Sequence, residues 1–515
     1  MQTPAPPLLS SIVEYLDLHA AIAPSRAAVV DGGRTTAFAE LRDAVDATAA
    51  ELARLNICAG TRVSFAGTPG LSFWICFLAT VRVGAVWLGL NPKYSTRELA
   101  HVLSDAKPSL VLAQSSADGA LSRRLARASA LAGTGDPIEC DAGLTGICTA
   151  LQSAAHAGSV DEQTHALGRL DARLIVYTSG TTGAPKGAVI TGRGLVENAW
   201  WFARRCGFET GQTLANLPIN HIGCVGDVCA TSLVLGSALV FMDHFDARRA
   251  TELIRQQQVT WLPQVPAQYQ LLLSEGGLLN SDLQSVRHLA WGGAAMPRRL
   301  IEQFAAAVPD VFNSYGLTEC SGTITLSAPG ADIDTLADTV GGPVEASRLR
   351  IVDGQGEPVH AGDAGEIQIR GPHVFAGYFN NPEATRDAFA EGGWLRTGDL
   401  GAMVDGNVRL IGRNTDMFKS GGYNVYPREV ESVIERLPGV ELCAVVGIRD
   451  DLWGEVGVAF VKADPTVVTQ ERLLTWCADH LARFKVPKRV LIRDSLPLLP
   501  VGKVDRQSLR AGLDP

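Results

Sequence analysis

The sequence predicts an α/β fold with three parts: a large region of doubly wound α/β layers, a small β-barrel-like subdomain, and a small α+β unit at the C-terminus. Three observations carry this. From Arg62 to Ala113, and again from Gly194 to Ala290, apolar runs of strand length alternate with stretches at helical spacing, the pattern of parallel strands covered by helices. Beyond Val340 short strands follow one another across Asp-Gly turns, at Asp353-Gly354 and Asp405-Gly406. A chain of 515 residues also exceeds what one core organises, so more than one domain is expected.

Ser10 to Leu18 and Phe38 to Leu55 carry apolar residues at helical spacing, the second with Glu40, Arg42, Asp43 and Asp46 on its polar side. Arg62 to Ala66 reads as a strand. Leu71 to Leu90 is long and apolar enough to suggest a membrane span, but Arg82 lies inside it, Gly84 divides it and Asn91-Pro92 ends it. A buried helix to Val83 and a buried strand from Ala85 to Leu90 explain it better. A helix over 98–104 and a strand over 109–113 complete the first run, and 116–171 reads as a variable connection rich in small residues. The second run comprises a helix over 194–206, a strand over 238–242, a helix over 247–257 and a strand over 261–263. After the short strands at 349–352, 365–369 and 407–411, the last hundred residues predict helices over 427–437 and 471–481 and strands over 443–447 and 456–462.

A hydrophobic content of 46% with 19% charged residues belongs to an ordinary folded chain, and a net charge of −9 argues against nucleic acid as a partner. The ten cysteines are scattered; Cys224 with Cys229 and Cys140 with Cys148, the nearest pairs, fit no structural zinc spacing, so reduced thiols and a cytoplasmic setting are expected. The first residues show no basic segment followed by an apolar core, so no signal peptide is expected. The sequence does not decide between monomer and homodimer.

The most informative stretch is Tyr177-Thr178-Ser179-Gly180-Thr181-Thr182-Gly183-Ala184-Pro185-Lys186-Gly187, between the apolar runs 174–176 and 188–190. It reads as strand, tight loop, strand. Three glycines let backbone N–H groups approach an anion, four hydroxyls add donors and Lys186 adds positive charge, a combination suited to a polyphosphate. It is not the G-x-x-x-x-G-K-[ST] loop, because Lys186 follows Pro185 and no Ser or Thr succeeds it. Further on stand Trp291-Gly292-Gly293-Ala294-Ala295-Met296-Pro297, Asn313-Ser314-Tyr315-Gly316-Leu317-Thr318-Glu319, Trp394-Leu395-Arg396-Thr397-Gly398-Asp399, Gly412-Arg413-Asn414-Thr415, and Pro500-Val501-Gly502-Lys503-Val504-Asp505-Arg506.

With these motifs in this order, the chain resembles the AMP-forming acyl- and aryl-CoA synthetases, the adenylate-forming superfamily that includes firefly luciferase and the adenylation domains of peptide synthetases. The resemblance implies an ATP and acyl-binding N-terminal domain over 1–414 and a mobile C-terminal domain over 415–515 that carries the catalytic lysine, Lys503. It implies ATP or AMP contacts from Thr178, Ser179, Gly180, Thr181, Thr182, Gly183 and Lys186, and from Gly292, Gly293 and Ala294. Asn313 and Tyr315 would face adenine, with Ser314 and Gly316 also in the ATP/AMP site, Thr318 would meet the α-phosphate and Glu319 a Mg²⁺ ion. Asp399 would accept the ribose hydroxyls, aided by Arg413. Thr415 stands at the hinge, where the family usually has Asp or Lys. His221 would wall and gate the acyl pocket, with Ile222, Val225 and Trp261 as apolar lining. Lys419, Gly421, Gly422, Trp453, Phe484 and Lys488 would receive coenzyme A.

The implied reaction joins a carboxylic acid to CoA at the expense of ATP: acyl-AMP and pyrophosphate form first, then a thiol displaces AMP. Thr178, Glu319 and His221 join Lys503 as expected catalytic residues, and ATP, Mg²⁺ and CoA are the expected cofactors and co-substrates. The expected acid is uncharged and medium-chain, alicyclic or aromatic. An amino-acid-activating domain is disfavoured because Asn220 and His221 stand where an ammonium would want an acid, with Asp227 further on. The alternatives are an adenylating enzyme loading a separate carrier protein, a luciferase-like oxygenase, and, from another class, a non-catalytic nucleotide-binding protein. The chain ends shortly after Arg506, so no fused carrier domain is expected.

Overall fold

The computed structural model describes residues 7–154, 162–178, 185–207, 209–344, 348–413, 416–498 and 504–513. Two large, mostly parallel sheets with covering helices form the N-terminal domain. One has nine strands, running from Gly342–Pro343 and Gly322–Leu326 through Asp310–Leu317, His288–Gly292 and Trp261–Gln264 to Ala27–Asp31 and Arg34–Ala37. The other has seven, with Arg62–Ala66 central between Val86–Leu90 and Leu110–Gln114. Each turns antiparallel at an edge that bears a motif: Ala172–Thr178 with Lys186–Thr191 in the seven-stranded sheet, and Asp310–Leu317 with Gly322–Leu326 in the nine-stranded one, whose far edge, Ala27–Asp31 with Arg34–Ala37, is antiparallel too. Those two antiparallel edges carry the phosphate-loop and Tyr315–Glu319 motifs.

The apolar stretch after Gly70 resolves into the helix Leu71–Arg82 and the strand Val86–Leu90, as its breakers imply. All but Arg82 of the helix is buried, and Arg82 reaches Asp17 and Asp46 at its end. No helix among the described residues is long and apolar enough to cross a membrane. Residues 116–171 differ from the expected irregular connection. Helices Ala120–Ala132, Gly146–Gln152 and Glu162–Arg169 occupy much of it, and Ile138–Cys140 adds a parallel strand beside Leu110–Gln114. Their buried faces are only a few residues each, chiefly Leu121 and Leu125 in the first helix, Ile147 and Leu151 in the second and Leu167 in the third, too few to stand out as sequence periodicity.

The short strands beyond Val340 form an antiparallel five-stranded sheet in which Trp394–Val404 pairs with Gly365–Ile369 on one side and Asn407–Arg413 on the other. The smaller C-terminal domain has its own sheet, led by the long hairpin Val440–Asp450 with Gly454–Ala463, and its own apolar core around Phe418, Val430, Ile434 and Val461. A buried ion network ties its last helix, Arg506–Ala511, to the rest. Arg506 Nη1 lies 2.6 Å from Glu431 Oε1 and donates to Val445 O at 2.7 Å, while Glu431 also accepts from Val445 N–H at 2.8 Å. Arg428 adds a bidentate pair with Glu435. The charge of Arg506 and these hydrogen bonds outweigh burial and hold the Glu431 carboxyl below its usual range. Losing the arginine would leave that carboxylate only the more distant Arg428, at 3.7 Å, and the Val445 N–H. Arg506→Ala is therefore expected to destabilise the C-terminal domain by about 3–5 kcal/mol, read from denaturant unfolding followed by Trp453 and Trp476 fluorescence, with partial recovery in the Glu431→Gln, Arg506→Met double variant.

Candidate active site

Strand pairing brings the scattered motifs together. Gly292 pairs in parallel register with Ser314, so that a Cβ at 292 would stand 2.6 Å from Ser314 Oγ. Glycine is required there by the close approach of the neighbouring strand. Gly293 and Ala294 beyond it are exposed. Asp399 pairs with Arg413 across the antiparallel hairpin, and the two side chains meet, Arg413 Nε donating to Asp399 Oδ1 at 2.9 Å. Tyr315 comes from the nine-stranded sheet and donates its hydroxyl to Asp399 Oδ2 at 2.5 Å. Burial first, and then the Asp399 charge, push the Tyr315 phenol well above its ordinary value. The same carboxylate raises Arg413. Asp399 is almost fully buried, and its own N–H is taken by Thr397 Oγ1. A carboxylate offers about four lone-pair sites, so these two donors leave capacity for a vicinal diol.

A second cluster joins the end of the phosphate loop to the expected metal carboxylate. Tyr378 donates its hydroxyl to Glu319 Oε1 at 2.8 Å, and Lys186 Nζ stands 5.4 Å from the centroid of the Tyr378 ring. The segment carrying Tyr378 is stitched to both motifs by backbone: Phe375 N–H donates to Glu319 O, and Phe379 N–H to Gly187 O. Burial and the Glu319 charge raise the Tyr378 phenol. Among the described residues no three or more His, Cys, Asp or Glu side chains gather as a metal cage. One half-buried carboxylate beside a lysine fits Mg²⁺, which ordinarily takes one or two carboxylates together with phosphate oxygens and water. Thr178 lies opposite Lys186 in the hairpin. Ser179, Gly180, Thr181, Thr182, Gly183, the expected hinge residue Thr415 and Lys503 lie outside the described residues.

Other expected residues find different surroundings. The Asn313 amide donates to Leu336 O and Thr339 O, which commits its NH₂ to holding a neighbouring turn. Thr318 is buried in a short helical turn with Glu319, and Gly316 sits at a bulge where a Cβ would meet Gly322 O at 2.2 Å. His221 Nδ1 accepts from Gly223 N–H at 3.3 Å, so its proton sits on Nε2. Ile222 and Val225 are buried in the main core, whereas Trp261 packs edge-on to Phe202 in a separate cluster and is not brought beside them. In the C-terminal domain Gly421 N–H donates to Trp453 O, Lys488 Nζ stands 5.5 Å above the Trp453 ring, and Phe484 stacks on Tyr423 at 4.6 Å. Lys419, Gly421, Gly422 and Trp453 are all exposed.

Sequence reasoning missed Tyr378 and Tyr423, which stand in no motif and reach the site only through strand pairing. It also passed over the surroundings of Asp227. The segment after Ile222 is a π-helix, Gly223–Ala230, packed on the helix Gly192–Cys206 and the strand Gly322–Leu326. π-helical turns are often found at functional sites.

The profile of the AMP-binding enzyme family matches residues 16–379, and that of the AMP-binding enzyme C-terminal domain matches 429–503. The chain belongs to the AMP-binding enzyme family. It is 32% identical over 504 residues to a feruloyl-CoA synthase from Amycolatopsis sp, covering 96% of this chain and 97% of that one. It is 33% identical over 508 residues to a 2-succinylbenzoate–CoA ligase from Geobacillus sp., covering 97% of each. Among solved structures, ATP-bound MatB from Rhodopseudomonas palustris superposes with a TM-score of 0.85 at 28% identity over 98% of both chains. The Bacillus subtilis o-succinylbenzoate CoA synthetase, solved with ATP and a magnesium ion, superposes with a TM-score of 0.79 at 27% identity, covering 97% of this chain and 98% of that one. This AMP-binding enzyme is an AMP-forming acid–thiol ligase that joins a carboxylic acid to CoA through an acyl-AMP intermediate.

Asp227 carries a stability cost in this enzyme. Desolvation pushes its carboxyl up from an ordinary value of 3.8 to about 6, against a hydrogen bond from Thr323 N–H. As pH rises from about 4 to about 6, the unfolded chain releases this proton while the folded chain keeps it, so folding stability falls across that window. Above it the loss is constant at about 3 kcal/mol. Asp227→Asn is expected to raise the urea midpoint at pH 8, with the gain shrinking towards zero near pH 4.

Proposed function

We propose that this ligase activates an uncharged aromatic, alicyclic or medium-chain acid, with the roles divided between two clusters. The observation that carries this division is the Lys186–Tyr378–Glu319 contact, which sets a cation and an oriented carboxylate at the mouth of the phosphate loop. In this reading Thr178 and Lys186, with Ser179 to Gly183, hold the β- and γ-phosphates. Glu319, oriented by Tyr378, holds Mg²⁺, which supplies charge neutralisation at the phosphates. Asp399 accepts both ribose hydroxyls on its remaining lone pairs, and Tyr315 and Arg413 hold it in place. The open strip Gly292–Ala294 runs beneath the nucleoside. His221, with Nε2–H directed from the start of the π-helix, borders the acyl carboxylate, and Ile222 contributes to the apolar wall.

A carboxylate is a poor acyl donor because its leaving group would be oxide. Attack of its oxygen on the α-phosphorus forms a C–O–P bond and expels pyrophosphate; the CoA thiol then displaces AMP. Lys503 neutralises charge in the first step, delivered by residues 415–515, which turn about Thr415 to expose the thiol channel for the second. The aromatic acid in the name of the feruloyl-CoA synthase supports the aromatic class. Mg²⁺ as the ion, a cytoplasmic location and a homodimeric assembly belong to the same proposal.

Acid-dependent pyrophosphate release over a panel of carboxylates, with and without CoA, tests the reading. An aromatic or alicyclic acid is expected to lead, and an amino acid or dicarboxylate as best substrate would overturn it. Lys503→Ala is expected to slow that release by about 100- to 1000-fold, while conversion of supplied acyl-adenylate and CoA to acyl-CoA continues. Trp453 and Lys488 form the exposed aromatic–cationic pair of the C-terminal domain and are assigned to CoA. Trp453→Ala is accordingly expected to raise the KM for CoA several-fold without changing CoA-independent pyrophosphate release.

A further inference from the structure

Both stems of the phosphate loop are tied to one helix. This helix, Thr96–Ala106, buries Leu99, Val102, Leu103 and Ala106 in the core shared with Val86, Leu88 and Tyr177 of the seven-stranded sheet. Its start is fixed by reciprocal caps, Ser95 Oγ accepting from Glu98 N–H and Glu98 Oε2 from Ser95 N–H. His101 and Asp105 stand about one turn apart on the same side of it. His101 Nε2 lies 3.2 Å from Pro185 O, and because a carbonyl only accepts, the imidazole donates from Nε2. Asp105 Oδ2 accepts the Tyr177 hydroxyl at 2.5 Å. Pro185 adjoins Lys186 and Tyr177 adjoins Thr178, so each tie falls next to a residue assigned above to the phosphates.

Asp105 has a further partner. Asn380 Nδ2 donates to Asp105 O at 3.1 Å and lies 3.4 Å from Asp105 Oδ1. Asn380 is just beyond Tyr378, whose hydroxyl meets Glu319. One side of one helix thus reaches both loop stems and the segment that orients the metal carboxylate.

Packing does not require these contacts. The apolar residues already seat the helix, and the register of Tyr177 with Gly187 and Thr178 with Lys186 already joins the two strands. Pro185 has no N–H to extend that ladder, which leaves its carbonyl to a donor from elsewhere. A carboxylate in the last turn of a helix runs against the helix dipole, yet Asp105 stands there. Burial, and then the Asp105 charge, push the Tyr177 phenol well above its ordinary value, so the hydroxyl keeps its proton and remains a donor.

We propose that His101 and Asp105 are positioning residues for the phosphate half of the ATP site. They set Thr178, Lys186 and, through Asn380 and Tyr378, Glu319 at the spacing a polyphosphate needs. The proposal rests on the phosphate-loop reading above. Its effect is confined to a nucleotide that carries β- and γ-phosphates; AMP, which lacks both, does not depend on it.

The test measures binding of α,β-methylene-ATP with Mg²⁺, and of AMP, by titration calorimetry on the full chain. The methylene bridge blocks adenylation, so the result does not depend on the identity of the acid. His101→Leu and Asp105→Ala, with folding checked by thermal melting, are each expected to weaken the ATP analogue by about 5- to 10-fold and to leave AMP within about twofold. His101→Gln returns an N–H for Pro185 O and Asp105→Asn returns a carbonyl for the Tyr177 hydroxyl, so both are expected to recover most of the loss. Unchanged analogue binding in folded His101→Leu and Asp105→Ala overturns the proposal. Equal weakening of the analogue and AMP, or a loss that the conservative variants do not repair, overturns it as well. Lys186→Ala separates the two readings. If it weakens the analogue while the helix variants do not, the positioning role fails and the phosphate-loop reading stands; if it too changes nothing, both fail. Should Asp105→Ala not fold, His101→Leu against His101→Gln decides.

Discussion

The carboxylate of Asp399 is the point on which the architecture turns. A carboxyl group this deeply enclosed is tolerated only where partners meet it, and its partners come from separate parts of the fold. Tyr315 belongs to the nine-stranded sheet and Arg413 to the last strand before the C-terminal domain. The five-stranded sheet is thereby docked against the nine-stranded sheet at the place where Arg413 leads out of the N-terminal domain. An interaction that orients a ligand-binding carboxylate is thus also a joint between layers, so distortion of either sheet would reach the site at once.

The Lys186–Tyr378–Glu319 cluster follows the same economy on the other large sheet. The strands Ala172–Thr178 and Lys186–Thr191 form an antiparallel pair at the edge of a parallel sheet, and edge strands have unpaired backbone to offer. The short strand Gly377–Tyr378 takes up that edge, pairing with Ala188 and Val189. Pairing carries the Tyr378 hydroxyl to Glu319, which belongs to the other sheet's motif. Backbone complementarity, with no specific side-chain attraction required, is what brings cation and carboxylate to one place.

Stability and function pull against each other at the π-helix. A wider helical turn, a buried aspartate at raised pKa, an orphaned amide oxygen and a glycine at positive φ occupy one small region. None of these favours folding, and together they concentrate unfavourable terms where the π-helix meets the strand Gly322–Leu326. The C-terminal domain shows the opposite disposition. Its buried charges are fully matched, Glu431 by Arg506 and Glu435 by Arg428, which gives the segment preceding Arg506 a rigid anchor.

By itself the sequence determined the alternation of strands and helices, the breakers in the long apolar stretch, the phosphate-loop hairpin and the order of the motifs. Each is written in local periodicity or in residues whose backbone demands are local, as with Gly84 and Asn91-Pro92. The elements within 116–171 stayed hidden because their helices are short or bury only two to four residues each, too few to set a period. Tertiary structure alone decided that Tyr315 and Tyr378 spend their hydroxyls on Asp399 and Glu319. It also placed Trp261 in a different core from Ile222 and Val225, and set Asn198 opposite Asp227 across Gly322. Such pairs join residues far apart in the chain, and no period or spacing records them. Their geometry follows from strand register and from the approach of whole layers, which are settled only when the cores close.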